Sequence, residues 1–270
     1  MTKDTHAQQN TSKHNVKRPT ERLLVISENK ELSLFLKGEL EKNVFEHPLK
    51  VDFRYTSFNL NPQQMIEIGA EKINVKDEDT INKIISDYDL VFSLHCKQIF
   101  PKRLVENVCC INFHPGLNPY NRGWYPQAFS IINGLPVGST IHLMDSEVDH
   151  GDIIAQKKVD LKISDTSLEV YRKIIEAEKY LIQENLFNII EGIFNTTKPQ
   201  HNGNYNGIKD YNALCELNFK SVATFGEHLN LLRATTHGNF QNAYFIDESG
   251  KKYFVRVVIE EEFKPTQLTL

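Results

Sequence analysis

At 270 residues the chain can bury one full hydrophobic core and carry a small appendage, and its 40% hydrophobic and 24% charged residues are the balance of a folded soluble protein. A net charge of −4 at pH 7 argues against a general preference for nucleic-acid backbones. No apolar run approaches the ~20 residues that cross a bilayer and the N-terminus has no apolar signal segment, so a cytoplasmic protein with neither membrane nor nucleic-acid partners is expected.

Residues 1–20 are polar and are expected to form a flexible tail. Arg22 to Ser27 (RLLVIS) reads as a buried strand, and Asn29 to Lys42 as an amphipathic helix with apolar residues at 32, 34, 35, 36 and 40. The turn between them, SENKEL, has no glycine, so a nicotinamide-type fingerprint is missing. Val51 to Tyr55 alternates as a strand does. Met65 to Gly69 and Thr80 to Ser86 read as helices, and Leu90 to Leu94 and Val108 to Phe113 as strands. Strands alternating with helices predict parallel pairing through right-handed crossovers, with ligands outside the carboxyl ends of the strands.

A helix is expected from Trp124 to Ile132, strands over Gly138 to Met144 and Ile153 to Lys158, and a long core helix from Asp165 to Glu191 capped by Asp165 or Thr166. Lys198 to Asn206 reads as a linker wrapping back toward the strand ends, and Phe219 to Arg233 as a short helix. Asn242 to Ile246 and Lys252 to Ile259 read as a hairpin. Such a hairpin is marginal alone, so it must pack on the main body or on a partner subunit. The expected class is α/β: an open, mostly parallel sheet with flanking helices plus a small C-terminal β-hairpin region. The expected divisions are 1–20, 21–197 for catalysis, and 198–270 for linker, short helix and dimerising hairpin.

The chemistry concentrates between Ile111 and Asp152. Asn112 and His114, two apart in a strand, leave one face together, and Pro115-Gly116 ends the strand beside them. Asp149 follows the next apolar run, in a turn. An amide donor, a base titrating near neutral pH and an orienting carboxylate form an acyl-transfer set. The same residues also make ordinary turns. The four cysteines, Cys96, Cys109, Cys110 and Cys215, form no C-x-x-C pair, so no metal is expected.

The combination N-F-H-P-G-L-N-P-Y-N-R-G-W-Y-P-Q followed by D-H-G-D resembles the folate-dependent formyltransferases, and most closely the nucleotide-sugar N-formyltransferases. The resemblance covers roughly Arg22 to Glu260. It implies the Rossmann-like fold of that family, N10-formyltetrahydrofolate as formyl donor, and the amine of a dTDP-linked amino-deoxysugar as acceptor, in the making of a surface glycan such as O-antigen. Asn112, His114 and Asp149 would be catalytic: His114 the base, Asn112 the oxyanion donor, and Asp149 holding the imidazole and favouring its protonated form. The cofactor groove would lie along Ser93, Leu94, His95, Lys97 and Gln98, largely through main-chain atoms, with Met144, Asp145 and Val148 on its other side. Lys97 also reads as a solvated loop lysine.

The acceptor would meet Asn118, Arg122, Gly123, Trp124, Tyr125 and Gln127. Arg122 would pair with a diphosphate, and Trp124 and Tyr125 would stack on a sugar or base. Trp124 equally reads as an anchor for the helix after it. Tyr211, Arg233 and His237 are placed toward the nucleotide end. A homodimer through the C-terminal hairpin is the implied assembly. Methionyl-tRNA formyltransferase and formyltetrahydrofolate hydrolase remain alternative activities of the same resemblance, and an inert nucleotide-sugar binder is an alternative of another class.

Overall fold

The structure, a computed structural model, describes residues 18–262, so most of the expected N-terminal tail lies outside the described residues. In chain order come β1 (Arg22–Ser27), α1 (Lys30–Lys42), β2 (Lys50–Thr56), α2 (Pro62–Ile66), β3 (Glu71–Ile73), α3 (Glu78–Asp87), β4 (Leu90–Leu94), α4 (Lys102–Asn107) and β5 (Cys109–His114). They are followed by β6 (Arg122–Gly123), α5 (Pro126–Asn133), β7 (Val137–Leu143), β8 (Ile153–Val159) and α6 (Ser167–Ile190). The chain continues through β9 (Tyr205–Asn206), α7 (Ile208–Cys215), α8 (Phe225–Thr235), β10 (Tyr244–Ile246) and β11 (Lys252–Phe254).

Seven strands form one sheet in the order β3-β2-β1-β4-β5-β7-β8. The first five are parallel, and β7 and β8 run antiparallel at one edge. The central strands are apolar on both faces because helices cover both. Leu23, Val25, Phe92, Ile111 and Phe113 pack toward α1 and α6, while Leu24, Ile26, Val91 and Cys110 pack toward α3 and α4. The strand order reverses at β1 and β4, so the crevice favoured for ligands opens at their carboxyl ends.

The expected α/β sheet is therefore present, and β1 and β4 have the expected bounds. The helix expected at 65–69 starts earlier, because Pro62 stands in its first turn, and the chain has turned away by Gly69 at φ 82°. β3, α4 and α7 are additional; at 3, 6 and 8 residues they are too short for periodicity to announce. The long core helix begins at Ser167, with Glu169 reaching back to accept the Thr166 N–H at 3.0 Å.

The helix expected from Trp124 starts at Pro126 instead, since Tyr125 takes a left-handed φ of 51°. The helix expected from Phe219 starts at Phe225, set by Thr224 and Glu227, which exchange hydrogen bonds of 2.7 and 3.2 Å. β11 stops at Phe254, well short of Ile259, because only β10 is there to pair with it. Tyr211, Cys215 and Ala234 pack with Ala128, Phe129 and Ile174, so α7 and α8 join the core around α5 and α6.

Candidate active site

β5 delivers Asn112 and His114 to the face opposite Ile111 and Phe113. β7 runs antiparallel beside it, and the register pairs Asn112 with His142 and His114 with Thr140. On the other side of β7 the register with β8 slips between Ile141 and His142, leaving Ile154 of β8 unpaired. The loop after β5 is fastened to β7: Thr140 Oγ1 donates to Gly116 O at 2.7 Å and accepts Asn118 N–H at 3.0 Å.

Asp149 is the hub. Its Oδ1 accepts from Asn112 Nδ2 at 2.9 Å, and its Oδ2 accepts the Gly123 N–H at 3.0 Å and lies 3.4 Å from His114 Nδ1. Its backbone is left-handed, with φ 50°. Among the described residues, the non-glycine residues with positive φ are His95, Asn121, Tyr125 and Asp149. All four lie in the segments that the sequence assigns to the site, where strained backbone concentrates.

His114 is 3% exposed, and its Nε2 has no hydrogen-bond partner. A Cβ on Gly116 would stand within 2.3 Å of that nitrogen, so only glycine keeps this imidazole edge open. Burial lowers the His114 imidazole to about 4 and outweighs the Asp149 carboxylate, which pulls the other way. Asp149 thus favours the protonated form, as expected, but burial prevails and holds the ring below the near-neutral range expected of it. Burial alone would raise the Asp149 carboxyl, but the imidazoles of His114 and His142 and the Gly123 N–H more than offset it and hold it below the usual range.

His142 is absent from the expected set and sits at the centre of it, 2% exposed. Its Nδ1 lies 2.7 Å from Leu143 O and must donate there, because a carbonyl only accepts. In the neutral ring Nε2 then accepts, 3.3 Å from Asn112 Nδ2, and it also lies 3.5 Å from Asp149 Oδ1. Both N–H groups of the Asn112 amide are thus engaged, by Asp149 and by His142. One must be released before Asn112 can serve an oxyanion. The signal for His142 was a lone polar residue between Ile141 and Leu143, on the face that Asn112 and His114 share.

On the cofactor side, Ser93 and Leu94 are buried, and the Leu94 side chain belongs to the core, so Leu94 can meet a ligand only through its backbone. Gln98 is also turned inward: Oε1 accepts the Val75 N–H at 3.1 Å and Nε2 donates to Asn74 Oδ1 at 2.8 Å. Lys97 is exposed. His95 pairs with Glu178 at 2.8 Å, and so α6 contributes a buried carboxylate to this end as well as apolar packing. Opposite, Met144 is half-buried, Asp145 holds His150 at 2.7 Å, and Val148 O accepts from Arg122 Nη1 at 3.2 Å.

On the acceptor side, Arg122, Trp124 and Tyr125 are the more open residues, and the Arg122 Nε has no partner. Tyr125 lies against Tyr211 with ring centroids 4.1 Å apart, and Trp124 against Tyr125 at 5.8 Å. Several expected contacts are engaged within the protein instead. Asn118 Nδ2 donates to Asp149 O at 2.9 Å, so it anchors the catalytic turn. Gln127 and His237 both reach Ser167 Oγ, at 3.3 and 3.1 Å. Arg233 is a correction: it is 3% exposed and gives its donors to Asp165 O, Lys162 O and Asn230 Oδ1 at 2.7–2.9 Å, so it ties α8 to the entry of α6 and faces no ligand.

Asn121, passed over in the sequence, gathers this half. It is fully buried, donates to Ser130 Oγ, and accepts from the amides of Asn133, Asn204 and Asn206. The linker thereby returns to the site, and β9 pairs with β6. Among the described residues no group of three His, Cys, Asp or Glu side chains is placed to hold a metal, and no helix is long and apolar enough to cross a membrane.

Three comparisons bear on this geometry. The family profile for formyl transferase matches residues 3–186, and that for the N-formyltransferase dimerization C-terminal domain matches residues 210–261. The dTDP-4-amino-4,6-dideoxyglucose formyltransferase of Mycobacterium tuberculosis is 43% identical over 231 residues, 84% of this chain and 97% of the relative. A sugar N-formyltransferase structure from a Shewanella species has a TM-score of 0.88 at 44% identity, covering 90% of this chain and 99% of its own. A 4-N formyltransferase structure from Francisella tularensis has a TM-score of 0.83 at 41% identity, with the same two coverages.

Proposed function

The chain belongs to the formyl transferase family, and from that premise we propose that it formylates the amine of dTDP-4-amino-4,6-dideoxyglucose, with N10-formyltetrahydrofolate as donor. The observation that carries the chemistry is the buried, unpartnered Nε2 of a neutral His114 beside Asn112 and Asp149. The sugar choice rests on the likeness to the Mycobacterium tuberculosis relative along nearly its whole length.

In the reaction, the lone pair of the sugar amine forms a C–N bond to the formyl carbon. The amine gives up a proton, the bond from that carbon to the donor nitrogen breaks, and the donor nitrogen takes a proton. The products are a sugar formamide and tetrahydrofolate, with no net change of charge. His114 Nε2 takes the amine proton, since a neutral imidazole with a free edge is the base the step needs. Asn112 turns one N–H from His142 to the developing oxyanion, a contribution of roughly 3 kcal/mol for a donor of this type. Asp149 stays ionised, orients both neighbours, and stabilises the imidazolium as it forms.

These thiols offer no competing nucleophile, because desolvation raises Cys96 and Cys109 to about 12. Residues 93–98 and 144–148 would hold the folate, mainly by backbone, and Arg122, Trp124 and Tyr125 the acceptor. Residues 21–197 would form the catalytic unit, with 198–270 closing the acceptor side and pairing two protomers.

The test is to incubate the protein with 10-formyltetrahydrofolate and dTDP-4-amino-4,6-dideoxyglucose and to read the product mass. Formylated sugar nucleotide is expected. Release of formate without any amine, or transfer to another amine alone, would refute the assignment.

A further inference from the structure

Glu178 lies within α6 and is completely buried. A carboxylate there is costly unless it is paired. Its partner is His95, whose Nε2 lies 2.8 Å from Oε2, while Oε1 has no hydrogen-bond partner. His95 follows β4 directly and holds a left-handed φ of 56°, which a side chain with a Cβ adopts only against strain. Its other ring nitrogen faces Asn29 Nδ2 at 3.5 Å and Tyr171 OH at 3.4 Å. Asn29 Oδ1 caps α1 by accepting the Leu32 N–H at 3.1 Å, so the Asn29 amide is locked with its N–H groups toward the imidazole.

Three residues further on, the chain is fastened again. Gln98 is buried and binds Val75 and Asn74 on the opposite side of the sheet from α6. The backbone of Cys96 and Lys97 thus hangs between two side-chain anchors. The pairing of Leu94 with Phe113 puts His95 one strand over from His114, at the same level.

We propose that Glu178 is a positioning residue for the formyl donor, acting through His95 to fix the backbone of Cys96 and Lys97. The proposal rests on the reading above that this segment receives the folate. A buried ion pair adds little net stability over an apolar replacement. What this pair does add is a defined loop conformation at the end of β4, where main-chain donors and acceptors can serve a ligand only if their directions are set in advance.

The test is steady-state kinetics on full-length variants, each substrate varied with the other saturating, together with tetrahydrofolate binding read by fluorescence quenching. Glu178→Gln keeps the side chain's size and removes its charge. His95→Gly accepts the left-handed backbone and removes the lock. Both should raise the donor KM and the tetrahydrofolate Kd about ten-fold; for Glu178→Gln, which touches no ligand in this reading, kcat at saturation should stay within about three-fold and the acceptor KM should be unchanged. His95→Gln, which can still donate to Glu178, should recover most of the donor affinity.

Unchanged donor KM and Kd, or equal losses for donor and acceptor, would overturn the proposal. If the wild-type protein binds tetrahydrofolate but transfers no formyl group, the functional reading fails alone. The ratio of variant to wild-type Kd still decides the role of Glu178.

Discussion

His114 combines two properties that seldom meet in one imidazole: it is buried, and one of its nitrogens has no partner. Burial keeps the ring neutral down to about pH 4, so the free base is the form present throughout the neutral range. Replacing it in His114→Asn should lower kcat by about 10²–10⁴-fold with little change in acceptor KM. The same shift has a consequence for stability. The folded-state value lies below the ordinary 6.5, so as pH falls the unfolded chain binds a proton that the folded one refuses. The contribution is intact above 6.5 and is lost progressively as pH falls toward about 4. Denaturant midpoints across that window should fall less steeply for His114→Asn than for wild type. Gly116→Ala makes a sharper probe. Its methyl would meet His114 Nε2 at 2.3 Å and Pro126 at 3.2 Å, so the ring must move. A loss of at least about ten-fold in kcat is expected, with a stability cost of about 1–3 kcal/mol, read by product mass and thermal melting. At this scale the sequence was informative where a residue type implies a role, as for Asn112, His114 and Asp149. For His142 it carried only a weak signal, a polar residue between Ile141 and Leu143, because the part that His142 plays depends on cross-strand register.

Among the elements, α8 shows how a polar residue can be misread. Arg233 carries a charge near a region expected to meet a nucleotide, yet its guanidinium closes a gap between α8 and the loop that enters α6. Arg233→Met should therefore destabilise the fold by about 2–4 kcal/mol, since buried carbonyls of Lys162 and Asp165 lose their donors, and should leave the acceptor KM unchanged. A raised KM at full stability would restore the nucleotide role. Helices with clear caps and strands with apolar runs, such as β1, β4 and α6, were legible because local chemistry and tertiary burial agree there. β6 and β9 were not: two residues each, they exist because Asn121 collects the amides of Asn204 and Asn206 across more than eighty residues of chain. Glu178 escaped notice for a related reason. Its spacing from Ile174, Ile175, Leu181 and Ile182 sets it on the apolar face of α6, but the pairing with His95 that makes it more than a misplaced acid depends on tertiary packing.

At the scale of the whole molecule, the reversal of strand order at β1 and β4 and the antiparallel arrival of β7 bring both halves of the site to one end of the sheet. The candidate catalytic and donor-side residues lie together in one chain. The C-terminal part tells a different story. Phe225, Phe240, Ile246, Tyr253, Phe254 and Val258 are exposed, and β10 and β11 form a two-stranded ribbon of three residues each, joined to the rest of the backbone by a single bridge at Tyr244 to Glu216 and Leu217. A ribbon so short is not stable in water without cover, and apolar surface gathered in one region marks an interaction site. A second copy fits this region, which is also where the dimerization-domain profile matches, over residues 210–261. Sedimentation velocity at micromolar concentration should show a dimer. Ile246→Lys combined with Phe254→Asp should shift the species to monomer, because unpaired charges would be buried at the interface. The monomer should keep kcat within about three-fold, since Asn112, His114 and Asp149 lie together in one chain. A monomeric wild type, or a dimer that survives both charges, would place the contact elsewhere. A monomer that folds but loses turnover would mean that the acceptor side needs the second chain.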